Sequence, residues 1–368
     1  MKTGNISYQP RLDLLRFFAA FLVVMLHLYG TAATQQQREN PVFTLLIEHG
    51  HVGVSLFLVM SGYLMCAIHD RNPSIKYSDF IYNRMVRVGP LAVCLFLLSL
   101  FVFWGKVDVT KQIINFVTLQ FNADPAWQVA PLWTVAVEFQ LYLIAPFLFG
   151  ILQHRGIYGM LGLLGAFAVV RFMMISATHD AGVFSYDAAY YSIFGRLDQF
   201  ALGMIAYMSA KHRFGWLRNP IHIMLALALL VGLFFFSSSF DWNADTVIAD
   251  LVRTFYLTVE AFICAYLMIA VCNTAIRIPG ERWLAWLGMT SYSIYLWHQL
   301  VIEAYFHRAS TFSATLNPIA FLLQAIFIVM PLVALVSVIS YRYIEVPILA
   351  LRRHYKSKSK ECASDLAA

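Results

Sequence analysis

The chain has 368 residues, of which 60% are hydrophobic and only 12% charged, with a formal net charge of +6. A soluble domain carries about 25% charged residues, so too few charges are present to cover a water-facing surface, and a soluble enzyme is excluded. The positive charge is explained by its sidedness along the chain rather than by nucleic-acid binding. Cys66, Cys94, Cys264, Cys272 and Cys362 lie in apolar segments or in the basic tail, with no metal-ligand or disulfide spacing. Free thiols and no metal site are expected.

The apolar residues fall into blocks at about 14–32, 50–69, 88–105, 131–153, 157–177, 190–210, 219–238, 248–272, 284–304 and 317–340. Each is close to the ~20 residues needed to cross a bilayer core. The expected fold class is all-α, a polytopic transmembrane helical bundle of about ten helices, with the membrane domain at 1–350 and a basic cytoplasmic tail at 351–368. The first block opens among Arg11, Asp13 and Arg16 and is followed by no small-residue cleavage site, so it reads as a retained helix. With the N-terminus inside, Arg71, Lys76, Arg84, Arg87, Arg155, Arg218 and the tail share the cytoplasm, while Arg38, Lys106, Lys111 and Arg308 lie opposite. The positive-inside rule therefore selects N-in and C-in. The semi-apolar stretch 110–130 is expected to lie in the interface or to re-enter the bilayer. No internal repeat suggests the inverted symmetry of a secondary transporter.

A charge deep in a bilayer costs at least ~2.5–3.5 kcal/mol, so each one inside a span asks for a reason. In the first span Arg16 and His27 are eleven residues apart, which leaves them roughly 20° from one helical face and about 16 Å apart along the axis. That face carries a cation near the cytoplasm and an imidazole further in, unless His27 is a packing histidine. DFIYNRMVRVGP, read as the first cytoplasmic loop, places Arg84 and Arg87 at i, i+3. Two such guanidiniums suit phosphate oxygens, but taken alone the pair reads as topology determination or contact with anionic lipid. The fourth span, PLWTVAVEFQLYLIAP, holds Glu138 with Tyr142 one turn on. Glu138 reads as a salt-bridge partner for Arg171 or Arg196, or as a group that positions a hydroxyl or holds a proton. In GRLDQFALG, Arg196 and Asp198 do not face each other, and each needs a partner on another helix. LGMTSYSIYLWH sets Ser291, Tyr295 and His298 on one face, as polar helix–helix glue or as part of a site. In SYRYIEVP, Glu345 is expected to pair with Arg342 or another cytoplasmic arginine.

These segments, from RLDLLRFFAAFLVVMLH at 11–27 through GHVGVSLFLVMSGYL, RMVRVGP, PLWTVAVEFQLYLIAP, RLDQFALGMIAY and LGMTSYSIYLWH to SYRYIEVP at 340–347, resemble in order the acyltransferase 3 family of membrane O-acyltransferases. The resemblance implies an acyl-coenzyme A-dependent enzyme of the bacterial inner membrane, with acetyl-CoA as donor and a hydroxyl of a cell-surface glycan as acceptor. It implies essential roles for Arg16 and His27 and donor-phosphate binding by Arg84 and Arg87. It also maps the family's SG-x-L segment to Ser61, Gly62 and Leu64, its tryptophan and glutamate to Trp133 and Glu138, and its closing glutamate to Glu345. Asp13, Tyr142, Arg196, Tyr295 and His298 complete the candidates. Two departures stand out: Thr134, Val135 and Phe139 break the usual W-S-L-x-x-E-E pattern, so Glu138 alone must serve, and Asn83 occupies a position where many members carry another arginine.

Acyl transfer needs a base for the acceptor hydroxyl, a stabiliser for the oxyanion and an anchor for the donor. An imidazole has an unperturbed pKa near 6.5, so His27 is the expected base or transient acyl carrier, Arg16 an orienting cation and Glu138 the acceptor-side group. Trp127, Tyr186 and Trp242, in the outer segments, are candidates for stacking on sugar rings or for an interfacial belt. The rival reading is a proton- or solute-coupled transporter using the same intramembrane charges as a relay.

Overall fold

A computed structural model describes residues 9–34, 37, 47–120, 132–177, 189–210 and 215–355, and among these it contains helices and no strand. The elements in chain order are α1 (Pro10–Ala32), a 3₁₀ turn (Glu48–His51) leading into α2 (Val52–Arg71), α3 (Tyr77–Val102), α4 (Val109–Thr118), α5 (Leu132–Ala177), α6 (Ile193–Ala210), α7 (Ile221–Ser239), α8 (Val247–Asn273), α9 (Glu281–Met289), α10 (Ser291–Ala314) and α11 (Pro318–Leu349). Among the described residues seven helices are long and apolar enough to cross a membrane: α1, α2 with its 3₁₀ turn, α3, α5, α7, α8 and α11.

The 46-residue α5 is two helices meeting at Gly156, whose φ of 63° and ψ of −160° only glycine adopts without strain. Its limbs fold back on each other. Trp133, at the start of the first limb, packs edge-on against Tyr191, and Arg171, near the end of the second, donates to the carbonyl of Phe194 at 3.0 Å. Both ends of α5 therefore meet the start of α6.

Two boundaries differ from the sequence reading. The stretch taken as the first cytoplasmic loop is helical from Tyr77, so Arg84 and Arg87 lie on α3 itself, and the true connection is 72–76. The hydropathy of 77–87 is too low to reveal a span, but nothing in it interrupts the helix; the next proline, Pro90, is also accommodated within α3. The ninth block divides at Thr290 into α9 and α10. Within 110–130, residues up to 118 form α4, capped by Asp108 accepting from the Lys111 amide at 3.0 Å. Its Gln112 and Asn115 are buried while Ile113, Ile114 and Val117 are exposed. Residues 121–131, with Trp127, lie outside the described residues, as does Tyr186.

The bundle is inverted in polarity relative to a soluble protein. Large apolar side chains such as Phe101, Met224, Ile248 and Phe327 face outward, while Arg196 and Glu260 are 0% exposed. The α2–α6 seam is closed by reciprocal glycines. A Cβ on Gly62 would sit 1.9 Å from the Phe200 carbonyl oxygen, and one on Gly203 would sit 2.0 Å from that of Val59. Close backbone approach at small residues is how helices associate where lipid supplies no hydrophobic drive.

Candidate active site

A cavity with about 130 Å³ of water-sized free space opens between α1, α2, α3, α5 and α10. Its polar lining is Arg16, Ser61, Arg84, Arg87, Thr134, Glu138, Tyr142, Ser291, Tyr292 and Tyr295, set among apolar residues including Val54, Phe57, Leu58, Met65 and Val88. The chemistry-bearing residues come from the five helices that meet here.

Glu138 stands at the centre of a three-membered cluster. Its Oε1 accepts from the Tyr142 hydroxyl one turn along α5, and from Ser61 Oγ of α2 at 2.9 Å; the Ser61 and Tyr142 hydroxyls lie 3.0 Å apart. The expected pairing of Glu138 with Arg171 or Arg196 does not occur. Arg171 instead meets Asp198 at 3.0 Å, and Arg196 donates to the Tyr190 carbonyl at 3.0 Å and to Gln199 at 3.3 Å. The reason is depth along α5: Glu138 faces α2, while Arg171 sits on the other limb of the hairpin against α6 and α8. Nearby, Thr134 donates to the Tyr295 hydroxyl at 2.8 Å, which fixes the α5–α10 wall.

The cavity's cations have few counter-ions. Arg16 pairs with Asp13 at 2.7 Å, an i, i+3 bond within α1. Arg84 rests its guanidinium 5.7 Å from the Tyr142 ring centre and 5.9 Å from that of Phe80, and its buried Nε has no hydrogen-bond partner. Arg87 lies 3.9 Å from Glu345 and 5.9 Å from the Tyr292 ring centre. Glu345, buried, also accepts from Ser293 and sits in a π-helical turn, Tyr341–Glu345, near the end of α11. Its partner is thus Arg87, rather than Arg342 of its own turn. Such turns often mark functional positions in helices.

His27 lies just beyond this cavity, not on its wall. Its ring packs edge-on against His298 at 4.8 Å, and His298 in turn lies 5.6 Å from Tyr295, which does line the cavity. His27 Nδ1 is 2.9 Å from the Val23 carbonyl oxygen, and His298 Nδ1 bonds the Tyr295 carbonyl. A carbonyl only accepts, so each Nδ1 carries the proton; a neutral ring then presents Nε2 as a lone pair, the form a base requires. His27 is half-buried, whereas His298 is fully buried with an unpartnered Nε2.

Trp133 and Arg196 are placed together but away from the cavity. The Arg196 guanidinium lies 3.9 Å from the Tyr190 ring centre and 5.4 Å from that of Trp133. A second polar cluster was passed over in the sequence because its members look ordinary one by one. Glu260, in the middle of α8, meets His51 at 3.0 Å and accepts from Ser55, while Asp250 pairs with Arg253 at 2.7 Å. A carboxylate at the thirteenth residue of the apolar block 248–272 is the available signal. Trp242 donates its Nε1 to the Ser237 carbonyl at 2.9 Å and packs edge-on against Tyr256.

Residues 9–339 match the model of an acyltransferase domain, acyltransferase 3. The chain belongs to this family. It is a multi-pass integral membrane protein of an acyltransferase family, which disfavours the transporter reading. Among curated relatives, O-acetyltransferase OatA of Staphylococcus aureus is 24% identical, over 94% of this chain and 58% of its own length. YrhL of Bacillus subtilis, named a candidate peptidoglycan O-acetyltransferase, is 25% identical over 82% of this chain and 50% of its own. A candidate acetyltransferase of Acidianus two-tailed virus is 24% identical over 82% of this chain and 86% of its own. The chain thus spans little more than half the length of the two bacterial relatives. No solved structure matches it.

Proposed function

We propose that the chain transfers an acetyl group from acetyl-coenzyme A in the cytoplasm to a hydroxyl of a cell-surface glycan, in a bacterial inner membrane. The names of the relatives support the acetyl group and the carbohydrate acceptor. The single observation that carries the reading is the cavity in which Arg16, Arg84 and Arg87 share one space with Glu138, with His27 one residue layer beyond. In this reading the chain crosses the bilayer ten times, through α1, α2, α3, both limbs of α5, α6, α7, α8, α10 and α11, with both termini in the cytoplasm. That orientation turns Arg84 and Arg87 toward the cytoplasmic side.

The roles follow from position. Arg84 and Arg87 hold donor phosphates, since the under-compensated guanidiniums gain charge-assisted bonds when an anion enters. The buried, unpartnered Nε of Arg84 fits such a ligand. The pantetheine arm extends along the apolar wall toward Thr134 and Tyr295. His27, off the donor cavity and half-buried, is placed for the acceptor: its Nε2 takes the hydroxyl proton as the oxygen attacks the thioester carbonyl, and coenzyme A leaves as the thiol. His298 fixes the imidazole from behind. Glu138, held by Ser61 and Tyr142, orients the reacting groups, and Arg16 offsets charge developing on the carbonyl oxygen.

The test supplies acetyl-labelled acetyl-CoA to membranes containing the protein. Incorporation of label into glycan that is lost with His27→Ala is the expected result. Uptake of label without modification of glycan would make the protein a carrier, and transfer undiminished by His27→Ala would remove the histidine from the mechanism.

A further inference from the structure

After α11 the chain turns at Ala350 and runs without helix through Arg352, Arg353 and Tyr355 along the start of α3, beyond the segment matched by the family model. Its attachment is specific. Asn83 of α3 is 1% exposed and uses both ends of its carboxamide on one residue: Nδ2 donates to the Arg353 carbonyl at 2.9 Å, and Oδ1 accepts from the Arg353 amide at 2.8 Å. The Arg353 side chain is used up in the same attachment, pairing with Asp79 at 2.6 Å and lying 4.2 Å from the Tyr82 ring centre. Tyr355 packs against the core from the other side. Residues 350–355 are thereby held against the part of α3 that carries Arg84 and Arg87.

Arg352, next to the pinned residue, has no such partner. Its Nε is buried and makes no hydrogen bond, as is true of Arg84 Nε. Burial, with repulsion from Arg87 and Arg84, pulls its pKa down to about 9. Three guanidiniums therefore lie close together, and among the described residues the carboxylate paired with any of them is Glu345, at 3.9 Å from Arg87. A cation held among like charges, by a neighbour that is itself doubly fastened, is an arrangement that folding alone does not favour. An entering polyanion relieves it.

We propose that Arg352 is a third phosphate-binding residue of the donor site, and that Asn83 is the positioning residue that holds it there. The asparagine that looked like a loss of grip in the sequence is what brings the replacement cation in from the far end of the chain. An arginine at 83 has no acceptor and could not hold the Arg353 amide. The inference rests on the acyl-CoA reading above. The chemistry recognised is a phosphate, which a donor or an anionic lipid headgroup can each supply; the position beside Arg84 and Arg87, which line the cavity, favours the donor.

The test measures binding of acetyl-CoA and of phosphate-free S-acetylpantetheine to full-length protein in a neutral detergent, with thermal melting as the check on folding. Loss of one charge-assisted contact is expected to weaken acetyl-CoA binding about tenfold or more in Arg352→Gln. S-acetylpantetheine binding and the melting temperature should stay as in the wild type, and Arg352→Lys should recover part of the loss. Asn83→Ala, with Arg352 intact, should show the same selective weakening. Wild-type protein that does not prefer acetyl-CoA over S-acetylpantetheine would overturn the donor reading and this inference together. A wild type that does prefer it, with Arg84→Gln impaired but Arg352→Gln and Asn83→Ala unaffected, would overturn this inference alone. So would an Arg352→Gln variant that lost only its stabilisation by phosphatidylglycerol.

Discussion

Two groups of arginines in this bundle differ both in exposure and in what surrounds them: Arg171 and Arg253 are buried, whereas Arg84, Arg87 and Arg352 are partly exposed. Arg171 spends its guanidinium on Asp198 at 3.0 Å, the Thr254 carbonyl at 2.7 Å and the Phe194 carbonyl at 3.0 Å, and Arg253 spends its own on Asp250 and the carbonyls of Trp242 and Ala244. In the second group, Arg84 has aromatic faces and an unpartnered Nε, Arg87 has one carboxylate at 3.9 Å, and Arg352 has an unpartnered Nε. A protein that satisfies one set so fully is not short of acceptors. On the proposed function the second set is left under-compensated because its partner comes from outside, which would be the physical distinction between a charge that holds helices together and one that waits for a substrate.

The comparison can be broken in several places. The largest effect is expected from His27→Ala, which removes the base: transfer of label from acetyl-CoA should fall by about 10²–10⁴-fold, while the protein melts as the wild type does. A parallel loss of melting temperature would mean that the histidine pair is packing after all. Arg171→Gln should do the opposite. It leaves Asp198 buried without its cation, a loss of about 3–5 kcal/mol, read as a marked drop in the melting midpoint and in the yield of monodisperse protein. Were it to fold normally and fail only in transfer, the division between the two groups would be wrong. Gly203→Ala sharpens the picture from between them, because α2 carries both Ser61 of the cavity and Ser55 of the Glu260 cluster. Overpacking at a seam where the added methyl would overlap the Val59 carbonyl oxygen should cost about 1–3 kcal/mol, and stability and transfer should decline together.

Much of this was legible in the sequence, for reasons that differ by residue. Arg16, Glu138 and Tyr142 stood out because charge and hydroxyl within an apolar run are expensive, and all three line the cavity. The Glu138–Tyr142 bond follows directly from i, i+4 spacing. Trp133 and Arg196 were also conspicuous, yet they pack on each other outside the cavity, since periodicity fixes a helix face but not which neighbour that face meets. His27 shares a helix with Arg16 but stands a layer away from the space Arg16 lines, because a span of eleven residues reaches past the cavity's end. The contribution of Arg352 was invisible for a different reason. It depends on a contact between positions 83 and 353, and a basic residue in a basic tail carries no pattern that tells a binding group from a topology signal.

The central claim is that Arg84, Arg87 and Arg352 are under-compensated because they are reserved for the donor, and melting of Arg84→Gln with and without coenzyme A tests it most directly. A ligand at 100 times its Kd stabilises the folded state by about 2.7 kcal/mol, so wild-type protein should melt higher when coenzyme A is added. Arg84→Gln should melt no lower than the wild type in its absence, since one of several repelling cations is gone, and should lose most of the shift in its presence. A variant that melts as poorly as Arg171→Gln without coenzyme A, or that responds to coenzyme A as fully as the wild type, would contradict the account.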